Sequence, residues 1–102
     1  MAFDGSEGGP ISINEASEAT KRWRDTNPGQ IQGEFWGNEI LQTLMKQEEA
    51  VGLRVHFGLD KEGKMQSFIT AVRKDESDIL SIVADFSCPC PPRCGNPNPL
   101  NS

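Results

Sequence analysis

The chain has 102 residues, with 15 acidic and 10 basic side chains and a net charge of −5. This length predicts one small domain, whose limited core would gain from a partner, a metal or a disulfide. The acidic balance argues against nucleic-acid binding, which needs a basic surface, and against adsorption to anionic membranes. No apolar run approaches the roughly 20 residues of a membrane span, and the first ten residues lack the features of a secretory signal. We therefore predict a cytoplasmic protein, and three cysteines do not complete a disulfide framework.

The N-terminal part of the sequence predicts an arm followed by a helix. Residues 1–10 contain four Gly or Pro residues and predict a flexible arm. Ser12 and Glu15 have the spacing of a capping box, which satisfies backbone donors at a helix start. The run Asn27-Pro28-Gly29 is a helix stop, so we predict the first helix over 13–26.

A short strand and a second helix are predicted next. Alternation within residues 31–35 hints at a short strand. Asn38 is placed to cap a second helix, which we predict over 39–47. Its apolar stripe holds Ile40, Leu41, Leu44 and Met45.

The middle of the chain predicts an antiparallel meander. Apolar and other residues alternate over 51–59, which is typical of a half-buried strand. A turn signal at 60–63 leads to a second strand over 65–73, and a third apolar segment covers 79–86. Three strands with short links, covered on one face by the two helices, give an α+β domain over 11–86.

Placing Asp60 opposite Lys64 in the hairpin fixes the register of the first two strands. The face predicted to be core then holds the cross-strand pairs Val55 with Ile69 and Leu53 with Ala71. On the other face, called the second face below, His56 lies opposite Phe68 and Arg54 opposite Thr70, with Val72 nearby. Because this face is only half polar, we predict that the tail or a second subunit covers it. The predicted interface residues are Arg54, His56, Phe68 and Val72, and the predicted partner is a second copy in a homodimer or another protein.

The tail, residues 87–102, holds five of the seven prolines and all three cysteines. Proline lacks a backbone donor and fixes φ, so we predict irregular, extended chain there.

The cysteines have C-x-C-x3-C spacing and support three alternatives. Cys88, Cys90 and Cys94 with His56 give the four ligands of a structural zinc site. A disulfide between Cys90 and Cys94, or between Cys88 and Cys94, is the second alternative, and reduced thiols are the third. A redox enzyme would favour C-x-x-C at the start of a helix, which this sequence lacks.

The sequence shows no catalytic motif. It has no G-x-S-x-G elbow, no phosphate loop and no acidic pair to which acid–base work can be assigned. His56 is the only histidine, and it is read as a strand residue on the second face rather than as a general base.

Three segments resemble a family of small uncharacterised bacterial proteins. Residues 35–40, FWGNEI, resemble F-G-K-E-I-I, and residues 51–60, VGLRVHFGLD, resemble V-G-I-R-I-Y-Y-G-x-D. Residues 90–94, CPPRC, followed by the final LNS, resemble a C-P-P-x-C ending. The resemblance implies a bacterial origin and no known activity. It also implies that Cys90 and Cys94 are the paired cysteines, and it places an aromatic residue where this chain has His56.

Three functional hypotheses follow, of which a hydrolase or transferase with an unrecognised site has no support from any motif in the sequence. The first is a non-enzymatic protein-interaction module that associates with itself through the second face. The alternative is a small domain stapled through its tail by a metal or a disulfide, which acts as a structural clip or a thiol switch.

Overall fold

The computed structural model describes residues 2–101, which have an α+β architecture. In chain order the elements are α1 (Ile13–Thr26), β1 (Gly33–Phe35), α2 (Asn38–Met45), β2 (Ala50–Leu59), β3 (Met65–Arg73), β4 (Asp78–Ala84) and β5 (Cys88–Cys90). The chain divides into two compact units, each made of two separate stretches of sequence. The first unit joins the arm up to Gly8 to Trp36–Ser87, and the second joins Gly9–Phe35 to the tail from Cys88.

Helix α1, in the second unit, begins and ends where the sequence predicts. The Ser12 hydroxyl accepts a hydrogen bond from the Glu15 backbone amide at 3.1 Å, which is one half of the predicted capping box. The Glu15 carboxylate lies 3.3 Å from the Ser12 hydroxyl, to which it bonds in place of the Ser12 backbone N–H. At the other end the Asn27 amide donates to the Trp23 carbonyl. The prediction of a helix over 13–26 is confirmed, because local capping chemistry sets both ends.

Side-chain hydrogen bonds connect α1 to other parts of the second unit. The Trp23 indole N–H donates to the Ile31 carbonyl at 2.8 Å, and Arg24 donates to the Leu100 carbonyl at 2.8 Å. Within the tail, the Asn101 side-chain amide donates to the Cys94 carbonyl at 3.1 Å. Although none of the helix side chains is fully buried, the Arg24 bond links the helix to the tail.

The tail contains a short strand that the sequence did not predict. Strand β5 pairs antiparallel with β1, with Gly33 opposite Cys90 and Phe35 opposite Cys88. The Gln32 amide donates to the Cys90 carbonyl at 2.6 Å. Proline is tolerated in an edge strand, and both strands of a two-stranded sheet are edges, so Pro89 is accommodated opposite Glu34.

The first unit contains the predicted meander, in the order β2-β3-β4. The predicted register is confirmed at every pair, including Val55 opposite Ile69 and His56 opposite Phe68. The Asp60 amide donates to the Lys64 carbonyl at 2.8 Å, which fixes that register. Gly63 closes the turn at φ +83°, a conformation that favours glycine.

Helix α2 packs on the meander and forms the core of the first unit with it. The buried cluster consists of Leu44, Ile69, Ala71, Ile79 and Ala84. Trp36, Ile40, Leu41 and Leu53 are partly buried against it. The helix lies one to two residues earlier than predicted, since Gly37 takes the cap position and Asn38 is already helical.

Candidate functional site

Four polar side chains meet on the second face of the meander, and we call them the Asp78 cluster. Arg54 and His56 come from β2, Thr70 from β3 and Asp78 from β4. They converge because Arg54 is paired with Thr70, and Val72, two residues further along β3, is paired with Asp78. Asp78 Oδ1 accepts from the Thr70 hydroxyl at 2.7 Å and from Arg54 Nη1 at 3.2 Å, and it lies 3.1 Å from His56 Nε2.

These contacts keep Asp78 ionised. The hydroxyl of Thr70 contributes most to lowering the pKa of this carboxyl below its ordinary value, followed by the hydrogen bond from His56 and the positive charge of Arg54. Partial burial acts in the opposite direction, and the side chain keeps 26% of its exposure. Because an ionised carboxylate only accepts hydrogen bonds, the His56 Nε2 that contacts it carries a proton.

The cluster resembles the acid–base part of a catalytic site without its nucleophile. A carboxylate that orients an imidazole is the arrangement used in general base catalysis. Here the hydroxyl that contacts the imidazole belongs to Thr70, which donates its own proton to Asp78. That hydroxyl is not poised to attack a substrate, so the geometry favours a structural ion-pair network.

The apolar members of the predicted interface lie largely inside the chain. Val72 is buried, and Phe68 is half-buried. A Cβ atom at Gly58 would lie 3.1 Å from Cε2 of the Phe68 ring, so a larger residue there would require the ring to shift. Arg54 and His56 are half-exposed but are engaged with Asp78.

The N-terminal arm contacts the meander. The Phe3 amide donates to the Lys74 carbonyl at 2.9 Å, and the Arg54 guanidinium lies 5.8 Å from the centre of the Phe3 ring. A cleft of about 410 Å³ separates the arm from the start of β2. Its lining includes Phe3, Gly5, Glu7, Val51, Arg54 and Val72. The sequence suggested the tail or a second subunit as the cover of the second face, and the structure places part of the arm beside Arg54 and Val72.

The other face of β2 carries three exposed apolar side chains, which we call the exposed strip. Val55, Phe57 and Leu59 keep 49%, 76% and 71% of their exposure. They share the face of Leu53, because side chains two residues apart point the same way in a strand. The sequence analysis assigned this whole face to the core, and Leu53 and its neighbours meet that prediction while the strip does not.

The lengths of the elements explain the strip. Helix α2 has eight residues, so it spans about 12 Å. Strand β2 has ten residues and extends for about 33 Å. The helix therefore covers one end of the sheet, near Leu53 and Ala71, and leaves the hairpin end uncovered.

The cysteines of the tail are divided between a disulfide and a free thiol. Cys90 and Cys94 are joined, with their Cα atoms 4.7 Å apart. Cys88 is free and half-buried in β5. This is one of the two pairings that the spacing allowed, and the one that the resemblance implied.

The predicted zinc site is not assembled. Cys90 and Cys94 are engaged with each other, and His56 is engaged with Thr70 and Asp78. Within residues 2–101, no group of three or more His, Cys, Asp or Glu side chains is placed to hold a metal ion. The disulfide thus engages two members of the proposed ligand set of Cys88, Cys90, Cys94 and His56, and the zinc site stays a prediction.

Comparisons with known proteins add no information about function. No protein-family profile, no curated protein and no solved structure matched the chain. The resemblance to a bacterial family therefore stays a prediction. Of the helices in residues 2–101, none has both the length and the apolar character needed to cross a membrane.

Proposed function

We propose that this protein is a non-enzymatic interaction module that binds protein through the exposed strip and the adjacent edge of β2. The observation that carries the proposal is the exposure of three large apolar side chains in a row on one strand. Single exposed apolar residues are ordinary, but a contiguous apolar row beside an open strand edge is typical of a protein-binding surface. This surface replaces the second face as the binding site, because the side chains there bond to one another.

The edge of β2 is well formed for strand addition. Among the described strands, β2 is paired only with β3, so its other side presents unpaired backbone groups. Its register is regular from Gly52 to Leu59, with no proline or lysine to blunt it. Strand β4 forms the opposite edge of the sheet. Its pairing with β3 is irregular, because the register shifts between Ile69 and Ala71 of β3. An extended segment that pairs with β2 would gain backbone hydrogen bonds and contact the strip.

Site-specific photocrosslinking tests this proposal. A benzophenone amino acid in place of Phe57 is expected to crosslink to a bound protein chain when the cell extract is irradiated. The same replacement at Phe86 is the matched control, because that ring is 94% exposed but lies outside the strands. Equal crosslinking from the two positions, or none from position 57, would remove the strip as a binding surface.

The second candidate function is a thiol switch in the tail, and the Cys90–Cys94 disulfide favours it. The disulfide closes a short loop that begins at Cys90, the last residue of β5. The first residue of β5 is the free Cys88. Reduction would free the end of β5 and loosen its pairing with β1. Because disulfides persist in oxidising compartments and are rare in the cytoplasm, the predicted cytoplasmic location would set the switch to its reduced state.

Amide exchange of Cys94→Ser tests this candidate. A loop this short is expected to contribute about 2 kcal/mol through chain entropy. The Gln32 amide, which donates to Cys90, is expected to exchange faster in the variant, while the amides of β3 keep their protection. Cys88→Ser removes a thiol without breaking the disulfide and is the control. Unchanged exchange at Gln32 in Cys94→Ser would show that the disulfide does not hold the ladder.

A further inference from the structure

We infer that the partner of the exposed strip is a second copy of this chain, with the two β2 strands antiparallel about Phe57. The inference rests on the proposed function, because it uses the same strip. It joins two three-stranded meanders into one six-stranded sheet. A small domain with a limited core gains most from such an assembly.

The direction of the backbone hydrogen bonds permits this pairing. The Asp60 amide donates to the carbonyl of Lys64, the residue before β3, at 2.8 Å. In an antiparallel pair, alternate residues direct their N–H and C=O groups to the same neighbour. Residues 58, 56 and 54 therefore face β3, while Val55, Phe57 and Leu59 direct their backbone groups to the open edge. The residues with apolar exposed side chains are those with free backbone donors and acceptors.

Centring the pair on Phe57 makes the two strands complementary. Phe57 then lies opposite its own copy, where the two rings can stack in the offset manner that aromatic pairs prefer. Val55 lies opposite Leu59, which extends the apolar contact on both sides. On the second face Arg54 lies opposite Asp60 of the other copy, so each dimer has two cross-strand pairs of opposite charge.

Neighbouring registers are less favourable. A pair centred on His56 places Arg54 opposite Gly58 and Asp60 opposite Gly52, so both charge pairs are lost. If the two strands were centred on Val55, the second copy would have to pair with the part of β2 near Val51. The N-terminal arm approaches the same part of the strand. A Cβ at Gly5 of that arm would be 3.2 Å from the Val51 carbonyl oxygen. The register about Phe57 uses residues 54–60 and leaves this part of the edge to the arm.

Sedimentation equilibrium of the full-length protein gives the first test. The wild type is expected to be a dimer at high micromolar concentration. Phe57→Lys is expected to raise the dimer dissociation constant by about tenfold or more, because it places two like charges opposite each other and removes the ring contact. Phe86→Lys adds the same charge at an exposed aromatic position outside the strands and should leave the dimer unchanged.

Charge reversal tests the register itself. In Arg54→Glu each homodimer has two like-charged pairs of Glu with Asp60, and in Asp60→Lys it has two pairs of Arg54 with Lys. Both homodimers are expected to weaken. An equimolar mixture restores two opposite-charge pairs, so native mass spectrometry should show the heterodimer in excess of the 1:2:1 distribution that random pairing of the two variants gives. Arg54 also contacts Asp78, and the Asp60 carboxylate accepts hydrogen bonds from the Glu62 and Lys64 backbone amides in the hairpin turn. Circular dichroism of both charge variants therefore checks that they fold, and Phe57→Lys gives the independent readout if either does not.

The outcomes separate this inference from the proposed function. A monomeric wild type would overturn the second copy as partner, and crosslinking from position 57 to a different protein would then keep the interaction module. A dimer that Phe57→Lys leaves intact would overturn the edge as the dimer interface. A dimer that Phe57→Lys weakens, with no heterodimer excess from two folded charge variants, would overturn the register about Phe57.

Discussion

At Asp78, side chains from β2 and β3 converge on one carboxylate oxygen. The shortest contact is with the buried Thr70 hydroxyl, at 2.7 Å, while the charged partners Arg54 and His56 lie at 3.2 and 3.1 Å. A hydrogen bond to a charged group is stronger than one between neutral groups. The cluster therefore links all three strands of the meander through one residue.

Thr70→Val tests the hydroxyl of this cluster. Valine keeps the shape of threonine but removes its donor, so the variant is expected to lose about 1 kcal/mol of unfolding free energy. Urea denaturation measures the loss. Thr70→Ser keeps the hydroxyl and is the control, because its cost should come from the lost methyl group alone. A valine variant as stable as the wild type would show that the hydrogen bond contributes nothing.

Asp78→Asn tests the charge through the pH dependence of stability. The pKa of the folded-state carboxyl lies below the ordinary value of 3.8. Its stabilisation is therefore complete above the unfolded-state pKa and is lost as the pH falls through the lower folded-state pKa. The wild type is expected to lose stability in this acid range more steeply than Asp78→Asn, as followed by thermal unfolding at a series of pH values.

Two other carboxyls act in the same pH range, so the difference between the two proteins is the informative quantity. Hydrogen bonds from Ser6 and Ser77 lower the pKa values of Asp4 and Asp75 in both proteins. Parallel stability curves below pH 4 would contradict a stabilising role for ionised Asp78.

The residues of this cluster were only partly predictable from the sequence. Alternation in β2 and β3 placed Arg54, His56 and Thr70 on one face, because the side-chain period of a strand is two. Asp78 was missed because it follows a turn in which Glu76 has φ +75°. Glycine or asparagine usually marks that conformation, and Glu76 carries no such signal.

At the scale of elements, the arm is the part that departs most from its predicted character. Its first ten residues have the composition of a flexible segment, yet Phe3 bonds to Lys74 and contacts Arg54. One aromatic residue among glycines and acids leaves no periodic pattern. Such an anchor is visible only when its partners are known.

Phe3→Ala tests whether this contact stabilises the meander. Removing the ring takes away its contact with the Arg54 guanidinium and part of the cover beside Val72, so about 1 kcal/mol of unfolding free energy should be lost. Chemical denaturation measures this, and Phe86→Ala is the control because its ring is almost fully exposed. Equal stabilities of the two variants would mean that the arm contributes no more than an exposed side chain.

The other elements show which signals a sequence carries well. Helix α1 and the β2–β3 hairpin are defined by capping, turn residues and periodicity, all of which are local. Strand β5 has no such signal, because its pairing depends on β1, which lies more than fifty residues earlier in the chain. The sequence also did not predict that one end of β2 is uncovered. Periodicity identifies an apolar face, but it does not give the length of the helix that covers that face.

At the scale of the whole molecule, the sequence predicted one continuous domain, whereas the structure has two units with interleaved segments. In the first unit, a short helix covers one end of the meander, and the other end carries the exposed strip. Protein association would bury apolar area that the fold leaves in water. The proposed self-association therefore predicts that the stability of this molecule depends on its association, and the coupling can be measured.

The melting temperature is expected to depend on protein concentration. A second copy that binds only the native state stabilises it by mass action, so each tenfold rise in concentration should raise the Tm of the wild type by about 3 °C. Phe57→Lys should show a smaller rise over the same range, because its dimer is about tenfold weaker or more, while Phe86→Lys should keep the wild-type slope. Differential scanning calorimetry measures all three proteins in one buffer. A flat wild-type curve, or equal slopes for Phe57→Lys and the wild type, would show that the strip does not couple stability to association.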